Sequence, residues 1–244
     1  MSEKTTIAWT DHTFNPWIGC AKVSEGCRNC YAETFTNNRM GLDLWGKDAA
    51  RQVTKSPWQN VRKWNEAAKR EGVRRRVFCA SLCDVFEDHP TANATRPRLW
   101  DLIRECDSLD WQLLTKRPEN IERMLPSDWA IGWRHVWLGA TIENQAVAHR
   151  ADILRKIPAV VRFISYEPAI GPLTLDMIGL HWVIYGGESG RGFRAEDKRW
   201  ARDIRMQCDA YGVAFFHKQS AGARSGTGVE LDGEIVRAYP RGSE

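Results

Sequence analysis

Three cysteines sit close together near the N-terminus: Cys20, Cys27 and Cys30, in the spacing Cys-x6-Cys-x2-Cys. Thiolates are soft ligands that suit zinc and iron–sulfur sites. A structural zinc takes four ligands, and so does a fully protein-ligated iron–sulfur cluster. Three thiolates on a four-iron cluster leave one iron open, and an open iron can bind a small molecule and act on it. The competing reading is a structural zinc, with His12 or another cysteine as fourth ligand, in a nucleic-acid-binding module without catalytic activity. Cys79, Cys83, Cys106 and Cys208 lie far along the chain, and Cys106 and Cys208 fall in helix-like stretches, where they read as small buried hydrophobes.

A second group of candidates comes from the ends of the apolar runs. Short β-branched or aromatic runs at 13–18, 76–82, 111–114, 136–142, 160–166, 181–185 and 213–217 alternate with amphipathic stretches at 29–40, 58–70, 95–107, 119–124, 144–157 and 198–211. Continuous apolar strands separated by helices read as parallel β/α units. The expected fold is therefore α/β: an incomplete parallel (β/α) barrel of six to seven units over residues 1–218. Residues 41–57 read as an insertion, and 219–244, rich in Gly and polar residues, as a C-terminal flap or tail of the same domain. In such barrels chemistry sits at the C-terminal ends of the strands. Those ends carry Cys20, Asp84, Lys116-Arg117, Glu143-Asn144, Glu167, Gly186-Gly187-Glu188 and Lys218-Gln219. Glu167 follows a largely apolar run and is expected to point to the barrel mouth, where a carboxylate needs partners. Singly the others have plain roles: Asp84 as a helix cap, Lys116 and Arg117 as solvated loop charges, Gly186-Gly187 as a tight turn.

The elements that must position these groups fit in one domain. The chain has 244 residues, 43% hydrophobic and 27% charged, enough for one substantial core. No run approaches the roughly 18 apolar residues of a membrane span, and the charged first dozen residues do not read as a signal peptide. The expected compartment is the cytoplasm, where seven cysteines point to metal or redox chemistry over a disulfide framework. A net charge of +4 is mild; Arg74, Arg75 and Arg76 with Lys69 and Arg70 form the densest basic cluster and a candidate nucleic-acid contact.

Several stretches together resemble a known family. They are 15–20 through 30–32, Asp84-Val85-Phe86, Leu113-Leu114-Thr115-Lys116-Arg117-Pro118, 138–144, Ser165-Tyr166-Glu167-Pro168, 186–190, 215–219 and Leu231-Asp232-Gly233. The chain resembles the phage-associated three-cysteine-motif family (the phage protein gp thirty-seven and gp sixty-eight family), a domain of unknown function that is similar to radical S-adenosylmethionine (SAM) enzymes, with spore photoproduct lyase among its suggested relatives. The resemblance implies a radical SAM-like barrel in which Cys20, Cys27 and Cys30 hold a [4Fe-4S] cluster. It also implies SAM as cofactor, reductive cleavage to a 5′-deoxyadenosyl radical, and an electron donor such as flavodoxin or ferredoxin. On that reading Tyr31, Asp84, Lys116, Glu143, Glu167, Gly186, Gly187 and Glu188 are candidates for contact with SAM. Asn144, Arg194, Lys218 and Gln219 are candidates for a substrate, expected to be a nucleic acid or nucleotide. The chain departs from the usual Cys-x3-Cys-x2-Cys spacing in its first gap, Tyr31 follows the last cysteine instead of preceding it, and Ser220 stands where relatives carry Trp.

Overall fold

The structure, a computed structural model, describes residues 5–240. Nine strands form in chain order: β1 His12–Phe14, β2 Trp17–Ile18, β3 Gln52–Val53, β4 Arg75–Cys79, β5 Leu109–Thr115, β6 Val136–Thr141, β7 Val161–Ala169, β8 Trp182–Gly187 and β9 Ala214–Gln219. The helices are α1 Tyr31–Phe35, α2 Pro57–Glu71, α3 Pro90–Glu105, α4 Ile121–Met124, α5 His149–Arg155 and α6 Lys198–Tyr211. Seven strands make one sheet in the order β1-β4-β5-β6-β7-β8-β9, every neighbour parallel. The sheet curls into a half-barrel flanked by helices.

Strand residues alternate between two faces, as a period of two demands. Val77, Cys79, Leu113, Leu138, Ile164, Val183 and Phe215 enter the larger core with Val61, Leu99, Ile103 and Ile204 of the helices. Phe78, Trp137, Phe163, Trp182, Ile184 and Phe216 turn to the other face and close over Trp9. Trp182 is the hub of this second core. Its ring meets Trp9, Trp137 and Phe216 edge-on, at centroid distances of 6.1, 5.9 and 6.1 Å. Its Nε1 donates to Ala238 O at 2.9 Å. Gly139 is required here, because a Cβ would collide with the Phe163 ring. Both faces are thus filled, which explains runs that read as continuously apolar.

The structure corrects several expected boundaries. The run 13–18 is broken at Pro16, which has no N–H for a ladder; beyond it β2 turns away and pairs antiparallel with β3, supplied by the expected insertion. The helix expected over 29–40 changes at Thr36 into a π-helical turn, Thr36–Met40. There the Thr36 hydroxyl bonds back to Ala32 O at 2.9 Å and accepts from Trp45 Nε1 at 2.6 Å, competing with the regular ladder. The helix expected over 95–107 begins earlier, at Pro90, because proline suits the first helical position and His89 caps it by accepting from Thr91 N at 3.2 Å. The C-terminal segment is no loose tail as far as residue 240. Ala238 N donates to Phe215 O at 2.9 Å and His217 N to Val236 O at 2.8 Å, so it lines the outer edge of β9; residues 241–244 lie outside the described residues. Among the described residues no helix is long and apolar enough to cross a membrane.

Trp182→Ala removes the hub of the aromatic core and should cost about 3–5 kcal/mol of stability in urea unfolding. The exposed Ile178→Ala should change stability by less than about 0.5 kcal/mol.

Candidate functional site at the sheet mouth

Because all seven strands run the same way, their C-terminal ends share one side. Asp84 lies five residues past β4, Lys116 directly after β5, Glu143 and Asn144 after β6, Glu167 near the end of β7, Gly186 and Gly187 at the end of β8 with Glu188 next, and Lys218 and Gln219 at the end of β9. Arg194 is in the loop between β8 and α6. The strand-end candidates therefore share one mouth.

The cysteine loop is fastened across that mouth by three buried carboxylates. Glu87 accepts Ala21 N at 2.9 Å and a two-pronged contact from Arg51 at 2.8 and 2.9 Å. Glu143 accepts the Ser24 hydroxyl at 2.6 Å and Arg150 at 2.9 Å. Glu188 accepts Asn29 Nδ2 at 3.0 Å and three donors of Arg194. Arg117 completes the fastening: it donates to Ala21 O at 2.8 Å, to Asp84 at 2.9 Å and to Cys20 Sγ at 3.5 Å. Gly26 leaves room for the Glu143 carboxylate, which any side chain there would strike. The loop is therefore placed over the ends of β4, β5, β6 and β8 by charge-assisted bonds, the stronger kind.

These contacts sort the candidates. Asp84 accepts from Thr115 Oγ1, Phe86 N, Lys116 N and Arg117, so its oxygens are committed to the strand-end turn. Gly186 and Gly187 are needed by the protein's own packing: a Cβ on Gly186 would meet the Glu167 carboxylate, and one on Gly187 the Ala221 backbone. Gln219 bridges Gly187 O at 3.1 Å and Gly226 N at 2.8 Å. Asn144 caps a short 3-10 turn through Ala146 N at 3.0 Å. Arg194 braces Glu188 and reaches Glu25 at 3.3 Å. The groups left at the mouth with capacity to spare are Lys116, 3.9 Å from Glu143, and the pair Lys218–Glu167 at 2.6 Å with Ser165 behind it. Tyr31, which donates to Ser81 O at 2.8 Å, stands at the rim.

Arg51, Glu87, Arg117 and Arg150, nearly fully buried, carry the fastening, and of these only Arg117 stands at a strand end in the sequence. The burial of Arg117 depends on partners at positions 20, 84 and 87, which its place in the sequence does not reveal. The basic cluster lies elsewhere: Arg74 precedes β4 and Arg75 and Arg76 open it, at the end of the sheet away from the mouth. They pair with Asp110, Glu71 and Asp11 at 2.8, 2.8 and 3.1 Å. His12 stacks on Trp64 of α2 with ring centroids 4.4 Å apart, so its ring faces that helix and not the cysteine loop. Cys79 is in the main core, whereas Cys83 adjoins the Gly19 N–Leu82 O bond of 3.0 Å that ties its segment to the cysteine loop.

Burial, reinforced by the Asp84 charge, pushes the Cys20 thiol up to about 12 despite Arg117. Burial also raises Cys30, opposed by the Glu33 N–H and the Lys116 charge. Among the described residues no three His, Cys, Asp or Glu side chains converge as a preformed metal cage. Three thiols share one loop, with Arg117 bonded to Cys20 and the Lys116 charge acting on Cys30.

A curled parallel sheet with a thiol-bearing loop bound across its mouth defines this as a half-barrel α/β protein with one candidate site. Residues 4–240 match the model of a family described as protein of unknown function (DUF5131), and the chain belongs to that family. No curated protein and no solved structure matches it.

Arg117→Gln leaves Asp84 and Glu87 buried without a cation they share, and should destabilise by about 3–5 kcal/mol in urea unfolding. Glu188 gives a pH test. Burial pushes its carboxyl up, but bonds from Arg194 and Asn29 outweigh this and hold it below its ordinary value. A depressed carboxylate stabilises above its unfolded pKa and loses that contribution as pH falls through the folded value. Glu188→Gln should therefore be less stable than wild type at neutral pH, with the gap closing below roughly pH 4.

Proposed function

We propose that this chain is a radical SAM-type iron–sulfur enzyme, with Cys20, Cys27 and Cys30 as the ligands of a [4Fe-4S] cluster. The observation that carries the reading is the placement of the three-thiol loop over the strand ends of a parallel half-barrel, fixed by Glu87, Glu143 and Glu188. When bound, a reduced cluster of this kind supplies one electron that cleaves SAM to methionine and a 5′-deoxyadenosyl radical. The residues of the chain then have distinct tasks. Lys116 offers a cation to the SAM carboxylate. Glu167, held by Lys218, offers an acceptor to an ammonium or to ribose hydroxyls. The Tyr31 ring packs at the rim, and the filled aromatic interior below excludes water from the floor. Glu143 and Glu188 brace the loop. The reaction needs an electron donor such as flavodoxin or ferredoxin, and a reducing compartment such as the cytoplasm keeps the thiols free.

A second reading is a structural zinc in a protein without catalytic activity. It is favoured by the single fact that Cys83 lies on a segment bonded to the cysteine loop and could complete four thiolates. Metal analysis separates the two. Anaerobically purified protein should be brown and carry about four irons with matching sulfide. Cys20→Ser, Cys27→Ser or Cys30→Ser should each abolish the visible absorbance, while Cys106→Ala and Cys208→Ala keep it. Reduced protein should convert SAM to 5′-deoxyadenosine, and Lys116→Ala should weaken SAM binding about tenfold while leaving iron content unchanged. Stoichiometric zinc without iron, lost on Cys83→Ser, would sink the cluster assignment.

A further inference from the structure

The loops that surround the mouth carry a pattern found on none of the strand-end braces. Arg28, Arg39, Arg191 and Arg224 are exposed, and their side chains make no hydrogen bond or ion pair among the described residues. Elsewhere on the surface arginines are commonly paired: Arg62 with Glu105, Arg104 with Asp128, Arg123 with Asp88 and Arg202 with Asp232. Two carboxylates nearby on the rim are already taken, Glu33 by Lys22 and Glu25 by Arg194. Interleaved with the free guanidinium groups are three exposed aromatic rings: Tyr31, Phe35 and Phe193, which are 54, 43 and 37% exposed.

Hydrogen bonds join the segments that carry Arg28, Arg191 and Arg224. Tyr31 and Phe35 stand one helical turn apart on α1. Asn29 Nδ2 donates to Gly192 O at 3.2 Å, which sets Arg28 beside Arg191 and Phe193. Gly190 N donates to Gly222 O at 3.0 Å, and Gly222 N to Glu188 O at 3.0 Å, which brings the Arg224 loop alongside.

We propose that this rim binds single-stranded nucleic acid as the substrate of the mouth. The assignment rests on the mouth being the reacting end. Unpaired guanidinium groups along a track fit a phosphodiester backbone, and exposed planar rings between them fit the faces of unstacked bases. A duplex offers the same phosphates but hides its base faces, so it should bind less tightly. The strand would present one nucleotide to the opening lined by Lys116 and the Glu167–Lys218 pair. The Arg74–Arg76 cluster takes no part, being ion-paired at the other end of the sheet.

Fluorescence anisotropy with a labelled oligonucleotide of about 16 residues, single-stranded or duplex, tests this at about 50 and 200 mM salt. Wild type should bind single strands at least several-fold more tightly than duplex. Arg28→Gln/Arg191→Gln/Arg224→Gln should lose more than tenfold in affinity and reduce the slope of log affinity against log salt by about two. Tyr31→Ala and Phe193→Ala should each lose about fivefold or more with the slope kept. Arg70→Gln/Arg134→Gln, exposed cations at the far end, should bind as wild type. A Cys20→Ser/Cys27→Ser/Cys30→Ser variant should still bind, so loss of the cluster assignment and loss of the rim assignment are read separately. Circular dichroism verifies that each variant is folded. The proposal is overturned if folded wild type does not bind at low salt, if duplex binds as tightly as single strands, or if the far-end variant loses as much as the rim variant. Saturable binding of an acidic polypeptide in place of the oligonucleotide would equally overturn it, giving the rim to a protein partner.

Discussion

Buried carboxylates at the ends of parallel strands constrain everything above the sheet. Glu87, Glu143 and Glu188 are 3, 1 and 4% exposed, and a carboxylate so buried is costly unless its oxygens are filled. Each fills one position with an arginine and another with the cysteine loop, through Ala21 N, the Ser24 hydroxyl and the Asn29 amide. The loop is therefore not a free excursion between β2 and α1. It fills acceptor positions that the arginines leave open on those carboxylates, and its thiols are carried to the mouth as a consequence.

The sheet makes that placement possible because both of its faces are closed without the loop. One face packs under the helices, the other around Trp182 and Trp9. A filled interior leaves the polar chemistry only at the rim, where Lys116, Glu167 and Lys218 remain. Tying the loop at three points also separates two kinds of strand-end residue. Asp84, Gly186, Gly187 and Gln219 serve the turns and close approaches that hold the mouth in shape. Lys116 and the Glu167–Lys218 pair keep capacity to meet a ligand.

Much of this was legible in the chain. The seven apolar runs mark the sheet, because strands covered on both faces need apolar residues at successive positions, and the polar residues that end them mark the mouth. The three cysteines mark the loop. What periodicity could not show is pairing at long range. Arg117 reads as a loop charge until Asp84, Glu87 and Cys20 surround it, and Arg51 lies inside an apparent insertion until Glu87 and the carbonyls at 44 and 46 claim its guanidinium. The Arg74–Arg76 cluster reads as a basic patch because the acids that neutralise two of its three members stand on other elements, at positions 11 and 110. Pro16 and Thr36 change the backbone at single residues inside otherwise regular runs.

The central claim is that the tethered cysteine loop holds a cluster with one iron free for SAM. Electron paramagnetic resonance of the dithionite-reduced, anaerobic protein, recorded with and without SAM, tests it most directly. The account predicts the signal of a reduced four-iron cluster whose shape changes on adding SAM, and no such signal from Cys30→Ser. A cluster signal untouched by saturating SAM, or no iron signal from protein with intact thiols, would contradict it.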